Sequence, residues 1–373
     1  MNFGFTEEQE LLRAEVRKFL DENATLEDVR KWVEGEGGFS RDVWSKVAEL
    51  GWVGLTIPEE YGGAGLDLVT LVVLLEETGR TLFPSPLIST VIAARAIELA
   101  GDEAQKARWL PELARGARVG TLAYLEENDL PGPSGVLMRA KAEGDGVSLS
   151  GSKRQVPDAG SADLFVVPFR SESGQLSLAL VERAQDGVVV ATHHAMDPSK
   201  STGSLDLEGL AVGQGALLNA APDTAAVFAH LLDLGATLVT AETVGAAEGA
   251  HAITVQFAKE RVQFDRVIGA YQGVKHPLAE MFVDIESLKS LVYYAAWALD
   301  EEAEDASKAA SRAKAYASEA FPRIGIDCVQ LHGGVGYTWE YDIQLYLKRS
   351  KWLRPTFGDA DYHYERIAAL GGL

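Results

Sequence analysis

The sequence predicts a mostly α protein with a β middle domain. An N-terminal helical domain covers 1–117, a small antiparallel β-sandwich or barrel covers 118–215, and a C-terminal four-helix bundle covers 216–373. Apolar residues step by three and four in the first third and again after Pro222, which is the helical period. From about 119 to 213, short β-type runs alternate with turn signals. A length of 373 residues with 47% hydrophobic content exceeds one usual domain and suffices for a large core.

Thr6 and Gln9 have capping-box spacing, so a helix starts there and turns Leu12, Val16, Phe19 and Leu20 to one face. Val43, Trp44, Val47 and Leu50 mark a second helix, stopped by Gly51. Residues 57–65 form a loop, because Pro58, Gly62, Gly63 and Gly65 break both periods. A long apolar helix follows over 67–78, and Pro84 and Pro86 close that stretch. Helices over 89–100 and 103–113 complete the first domain. Strands are expected at 136–142, 147–149, 164–169, 176–181 and 188–192, with turns at 143–146 and 171–174.

After Pro222, Leu288, Val292, Ala295 and Leu299 make one helical stripe. Ala306, Ala310, Ala313, Ala317, Ala320, Ile324, Cys328 and Leu331 make another. Small residues there, and at Gly245, Ala246, Gly249 and Ala250, imply close helix–helix packing. Pro322 should kink or break its helix.

The formal net charge of -21 opposes binding to nucleic acid or anionic lipid, which need a basic surface. It leaves room for a phosphate-bearing ligand in a local basic pocket. Cys328 is the one cysteine, so no internal disulfide and no thiolate metal cluster is expected. The first residues lack the basic and apolar regions of a signal peptide, and no uninterrupted apolar run spans a bilayer. A cytoplasmic protein without a membrane partner is the expectation.

Three stretches carry chemistry. The first is Leu50-Gly51-Trp52-Val53-Gly54-Leu55 with Pro58-Glu59-Glu60-Tyr61-Gly62-Gly63. The second is Arg261-Val262-Gln263-Phe264 with Tyr271-Gln272-Gly273-Val274-Lys275-His276. The third is Gln330-Leu331-His332-Gly333-Gly334-Val335-Gly336-Tyr337-Thr338. Arg261 follows a long helix, where a guanidinium can fork onto a phosphate, or pair with Glu260 or Asp265 on the surface. Gln272 offers an amide that both donates and accepts, or is a turn residue. Glycines at 333, 334 and 336 end a helix and let backbone N–H groups approach a pyrophosphate; a plain helix cap explains only one of them. No strand precedes them, so a Rossmann reading fails on context.

In order, spacing and setting, these stretches resemble the acyl-CoA dehydrogenases across nearly the whole chain, and in particular a subunit of the bacterial heteromeric acyl-CoA dehydrogenases. The resemblance implies FAD as cofactor, an acyl-CoA thioester as substrate, and introduction of an α,β double bond. It implies that Arg261, Phe264 and Gln272 reach FAD across a subunit interface. It implies that Gly333 and Gly334, with Gln330 and Leu331, bind the pyrophosphate of a neighbouring subunit's FAD. A tetramer built as a dimer of dimers is implied, with an electron-transferring flavoprotein as acceptor.

The sequence departs from the family at the base. In most members a glutamate in a Tyr-Glu-Gly-Thr stretch takes the α-proton; here Phe357 occupies that position. In a minority the glutamate lies on the first long C-terminal helix, and the matching residue is Gly235. Asp359 and Glu242 are the replacements within reach. Glu242 lies about 10 Å further along the axis than Gly235. A helix cap at Asp359 and a salt-bridged or solvated Glu242 are the alternatives. The β unit departs as well. Where the family has a Trp-Ile-Thr-Asn-like run, Gln155 replaces the aromatic and Pro157 the hydroxyl donor. The flavin loop at 125–132 carries Glu126 and Glu127, which sit poorly with a diphosphate.

The resulting expectation is a subunit that lends its C-terminal motifs to the flavin of a paralogous partner, which supplies the base. The alternatives are a self-sufficient homotetrameric acyl-CoA or acyl-carrier-protein dehydrogenase with a relocated carboxylate, and a non-catalytic scaffold that has lost FAD.

Overall fold

The computed structural model describes residues 5–35 and 38–371. Helices α1 (Glu7–Asn23), α2 (Leu26–Glu34), α3 (Arg41–Glu49), α4 (Leu68–Arg80), α5 (Leu87–Ala100) and α6 (Glu103–Ala114) come first. The strands β1 (Gly120–Leu122), β2 (Ala140–Glu143), β3 (Gly146–Pro157), β4 (Leu164–Arg170), β5 (Leu176–Glu182), β6 (Val188–His193), β7 (Thr202–Val212) and β8 (Leu217–Leu218) follow. The chain ends with α7 (Thr224–Glu260), the hairpin β9 (Val262–Gln263) and β10 (Arg266–Val267), α8 (Gln272–Asp300), α9 (Ala306–His332), α10 (Ile343–Leu353) and α11 (Ala360–Leu370). The predicted order of helices, strands, then helices is the order observed.

Two compact units share these elements. One comprises 1–31, 68–83 and 236–373; the other comprises 32–67 and 84–235. The N-terminal stretch is therefore divided, with α1 and α4 joining the C-terminal helices.

In the first unit α1 begins at the expected capping box. Gln9 N donates to Thr6 Oγ1 at 3.2 Å and Thr6 N to Gln9 Oε1 at 3.0 Å. Only Val16 and Leu20 of α1 are buried, and hydrogen bonds complete its docking on α4: Arg13 Nη2 donates to Glu76 Oε2 at 3.2 Å and Arg17 Nη2 to Glu77 Oε1 at 2.6 Å. Helices α4 and α7 touch backbone to backbone. A Cβ on Gly245 would stand 1.7 Å from Glu76 O, and one on Gly79 2.1 Å from Glu242 O, so neither position admits a side chain. This is the close packing expected at Gly245. Helix α9 packs against α8, α10 and α11. It runs unbroken through Pro322, so of the expected kink or break the break does not occur.

Helix α7 bears on the membrane expectation, although His230, Asp233 and Glu242 interrupt its apolar sequence. It is 37 residues long with a mean hydropathy of 1.5 over its most apolar window, enough by length and composition to cross a membrane. Yet 72% of that window is buried inside the protein, so its apolar surface is core.

In the second unit the strands form two four-stranded sheets, ordered β1-β4-β5-β8 and β2-β3-β7-β6. The second sheet is antiparallel throughout, as predicted, but β1 pairs with β4 in parallel. β4 is buried on all but its last residue and β5 on most, which explains why they read as plain apolar runs. Strand β7 lies outside the predicted set, because Gly203, Gly209 and acidic residues interrupt its apolar alternation. β3 runs for 12 residues rather than the three expected. Bulges at Leu149/Gly151 and Lys153/Val156 shift its register against β7 and hide its period. Helix α2, and the short strands β1 and β8, are likewise additions to the predicted elements.

Candidate cofactor site

Two of the three motifs meet at the ends of α7 and α9. Helix α7 stops at Glu260, and Arg261 N closes its last turn on Phe257 O at 2.9 Å. The chain then turns through Phe264 and Asp265, with φ of 52° and 64°. Bulky residues rarely adopt this left-handed backbone, and here it displays the Phe264 ring to solvent, 88% exposed. Gln272 opens α8 and is exposed. Helix α9 ends at His332, where Gly333 takes φ 66° and ψ -147°, a conformation that glycine alone tolerates. A Cβ on Gly333 or Gly334 would meet nothing within 4 Å, so no packing inside the chain demands small residues there.

Between these ends lies a cleft of ≈ 430 Å³ lined by Arg261, Gln263, Gln330, Gly333, Gly334 and Tyr341, among others. Its floor is aromatic: the His332 ring stacks on Phe257 at 4.4 Å, with Tyr341 edge-on to both. His332 Nδ1 donates to Cys328 O at 2.8 Å, and burial lowers its pKa, so the ring is neutral. Among the described residues Arg261 has no ion-pair partner; neither Glu260 nor Asp265 holds it. An unengaged guanidinium, an exposed amide and bare glycine backbone suit a diphosphate with an attached nucleoside. Of the expected residues, Arg261, Gln330, Leu331, Gly333 and Gly334 line this cleft, whereas Phe264 and Gln272 do not.

The β unit is built the other way. Glu126 is buried, and its Oε1 accepts from Lys153 Nζ at 2.7 Å and from Met138 N at 3.1 Å, while Oε2 accepts from Leu137 N at 3.1 Å. Burial lowers the Lys153 pKa and Glu126 pulls it back up. The acid expected to face a diphosphate is therefore neutralised within the fold. Arg170 braces the same loop, donating to the carbonyls of Pro133 at 2.5 Å, Val136 at 2.8 Å and Gly174 at 2.9 Å. Gln155 is exposed with φ 47°, and Pro157 is buried with its carbonyl held by Thr121 Oγ1 at 2.7 Å. Neither gives a flavin ring an aromatic cover or a hydrogen-bond donor from the position the family uses.

At the two base positions, Phe357 is 4% exposed with φ 59°, and Gly235 lies buried within α7. Glu242 is 1% exposed, and its Oε1 accepts from Arg349 Nη1 at 2.6 Å. Arg349 is fully buried and also donates to Leu82 O at 3.1 Å. Asp359 caps α11, accepting from Tyr362 N at 3.0 Å.

Sequence reasoning misses Lys314, Arg349 and His363, and it gives no buried role to Lys153 or to His332 of the third motif. The available signal is a lone charge inside an apolar stretch, as at Lys314 in the alanine-rich helix.

The chain is thus a helix–sheet–helix protein with an open cleft framed by two helix ends and bare glycine backbone. Residues 6–117 match the acyl-CoA dehydrogenase N-terminal domain and residues 225–371 the acyl-CoA dehydrogenase C-terminal domain. The acyl-CoA dehydrogenase IpdE2 of Mycolicibacterium smegmatis is 32% identical over 365 residues, 98% of this chain and 99% of that one. A chain of the ChsE4-ChsE5 complex from Mycobacterium tuberculosis superposes with a TM-score of 0.92 at 29% identity, over 100% of this chain and 99% of that one. A chain of a Tcur3481-Tcur3483 steroid ACAD variant gives a TM-score of 0.89 at 32% identity, covering 98% of each. The chain belongs to the acyl-CoA dehydrogenase family of FAD-dependent oxidoreductases.

Proposed function

We propose that this chain is one subunit of a heteromeric acyl-CoA dehydrogenase and completes the FAD site of a paralogous partner. The observation that carries this is the asymmetry of polar groups. Arg261, Gln272 and Gln330 are exposed and make no side-chain hydrogen bond or ion pair among the described residues, whereas Glu126, Lys153, Glu242 and Asp359 are bonded within the fold.

On this reading Arg261 holds a phosphate of the partner's dinucleotide, and the N–H groups at Gly333 and Gly334 lie along its pyrophosphate. Gln272 meets the ribose or adenine edge, Phe264 covers it, and Gln330 and Leu331 close the cleft. Bound FAD supplies the hydride acceptor for the β-hydrogen of the acyl-CoA. The α-proton goes to a carboxylate of the partner subunit. An electron-transferring flavoprotein then takes the electrons, in the cytoplasm.

A self-sufficient homotetramer would need Glu242 or Asp359 as base. Glu242 is paired with the buried Arg349 and Asp359 accepts from Tyr362 N at the start of α11, so each carboxylate already has a structural partner.

Purification with and without the paralogous chain separates the readings. The heteromer predicts a colourless chain that becomes yellow and active on co-expression. A yellow, active homotetramer would overturn it in favour of a relocated base. A colourless protein unchanged by its partner would leave a scaffold.

A further inference from the structure

The turn that takes the place of the base loop is fastened with unusual completeness. Phe357, with φ 59°, and Gly358, with φ 98°, put two consecutive residues in left-handed backbone. For phenylalanine that conformation is disfavoured and persists only where the surroundings hold it. Two side chains from outside the turn do the holding. Lys314 Nζ, on α9, donates to Arg354 O at 2.9 Å, Gly358 O at 2.8 Å and Ser318 Oγ at 2.6 Å. His363 Nε2, on α11, donates to Phe357 O at 3.0 Å. Three of the turn's carbonyls are thus held by two basic side chains, each 1% exposed. The Phe357 side chain takes no part in these bonds.

We infer that Lys314 and His363 are positioning residues that fix the backbone at 357 independently of the side chain it carries. The turn is then a preserved frame for a catalytic carboxylate in a chain that no longer has one. The importance of position 357 rests on the function proposed above; the frame itself does not.

The chemistry of the two groups supports the assignment. Three oxygen acceptors match the three N–H bonds of an ammonium, although burial pushes the Lys314 pKa down to about 7. His363 donates through Nε2, so its Nδ1 is the unprotonated nitrogen, and that atom is buried without a partner. Burial and then the Lys314 charge, aided by Arg366, push its pKa down to about 3, against the pull of the Phe357 carbonyl and Asp359. Arg354 also faces Lys314 and disfavours its charge, while Asp359 favours it. Both bases therefore bind protons more readily with the turn open than closed, so acid favours opening.

The test is amide hydrogen exchange on the full-length chain, read at Gly358, Tyr362 and His363, whose N–H groups are bonded within the turn or its cap. It needs neither flavin nor partner, so it can fail while the co-expression experiment succeeds, and the reverse. Lys314→Met is expected to raise the opening constant about tenfold or more, the loss of one to three hydrogen bonds. Phe357→Leu, which changes the side chain without burying a charge, should change it by no more than about threefold. His363→Gln keeps a donor for Phe357 O but does not titrate. It should hold the turn at pH 7 and abolish the acid dependence that the unaltered chain shows below about pH 6, which approaches tenfold per pH unit. The assignment falls if Phe357→Leu opens the turn as far as Lys314→Met does. It also falls if His363→Gln keeps the acid slope, or if Lys314→Met leaves local exchange unchanged.

Discussion

The ends of α7 and α9 and the interiors of the two units handle charge in opposite ways. At the ends, Arg261 and Gln272 are exposed, and Phe264 is held in strained backbone to face outward. In the interiors, Arg349, Lys153 and Lys314 are almost wholly buried, and each is closed on acceptors of the same chain. A buried charge must be matched within the protein or it unfolds the protein, so those residues report on stability. An exposed polar group held in a strained or bare setting has no such reason to exist. It therefore reports on something outside the chain.

Removing an inner partner should have the largest effect. Glu242→Gln leaves Arg349 charged and buried, and should cost about 3–5 kcal/mol of stability, measured by urea denaturation. If it costs under about 1 kcal/mol, solvent reaches the pair and the contrast weakens. Arg261→Gln should behave oppositely. Its stability should stay within about 0.5 kcal/mol, while the co-expressed complex loses about 1.5–3 kcal/mol of flavin affinity, read by fluorescence on flavin release. Unchanged flavin retention would remove the best evidence that the cleft faces a dinucleotide.

The pH dependence sharpens the comparison further. Burial raises the Glu76 pKa to about 8, against the pull of the Tyr293 hydroxyl and of Arg13. A carboxyl raised in the folded state stabilises below its unfolded value, near 4.5, and loses that contribution as pH climbs to about 8. Glu76→Gln should therefore flatten the fall in urea midpoint between about pH 5 and 8; an unaltered slope would mean that Glu76 is ionised throughout. The smallest effect belongs to Gly334→Ala. No atom stands near its Cβ, so thermal stability should hold within about 0.5 kcal/mol, and any loss should appear only as weaker flavin retention in the complex.

The outward-facing half of this contrast is legible in the sequence and the inward half is not. Arg261, Gln272 and Gly333 stand in short local motifs at helix ends, and a helix end is itself a local signal. Lys153 meets Glu126 across 27 residues, Lys314 meets Gly358 across 44, and Arg349 meets Glu242 across 107. Periodicity does not carry pairings at those distances, so the acids of the flavin loop read as exposed when one of them is neutralised. The bundle is readable through its alanine stripe and its glycines, because small residues at helical spacing have one common cause. Strand β7 is hidden because tertiary pairing with β3 and β6 overrides a locally weak pattern.

The backbone contact of α4 and α7 has a use for the protein engineer. A helix sliding by one residue moves about 1.5 Å along its axis and turns by about 100°. With Gly245 lodged against the Glu76 carbonyl, such a slip would drive a Cβ into main-chain oxygen. The crossing works as an index pin that fixes the angular bearing of every side chain on the helix. A carboxylate installed at Gly235 would inherit that bearing, which makes α7 the calibrated rail on which to attempt returning a base to this chain.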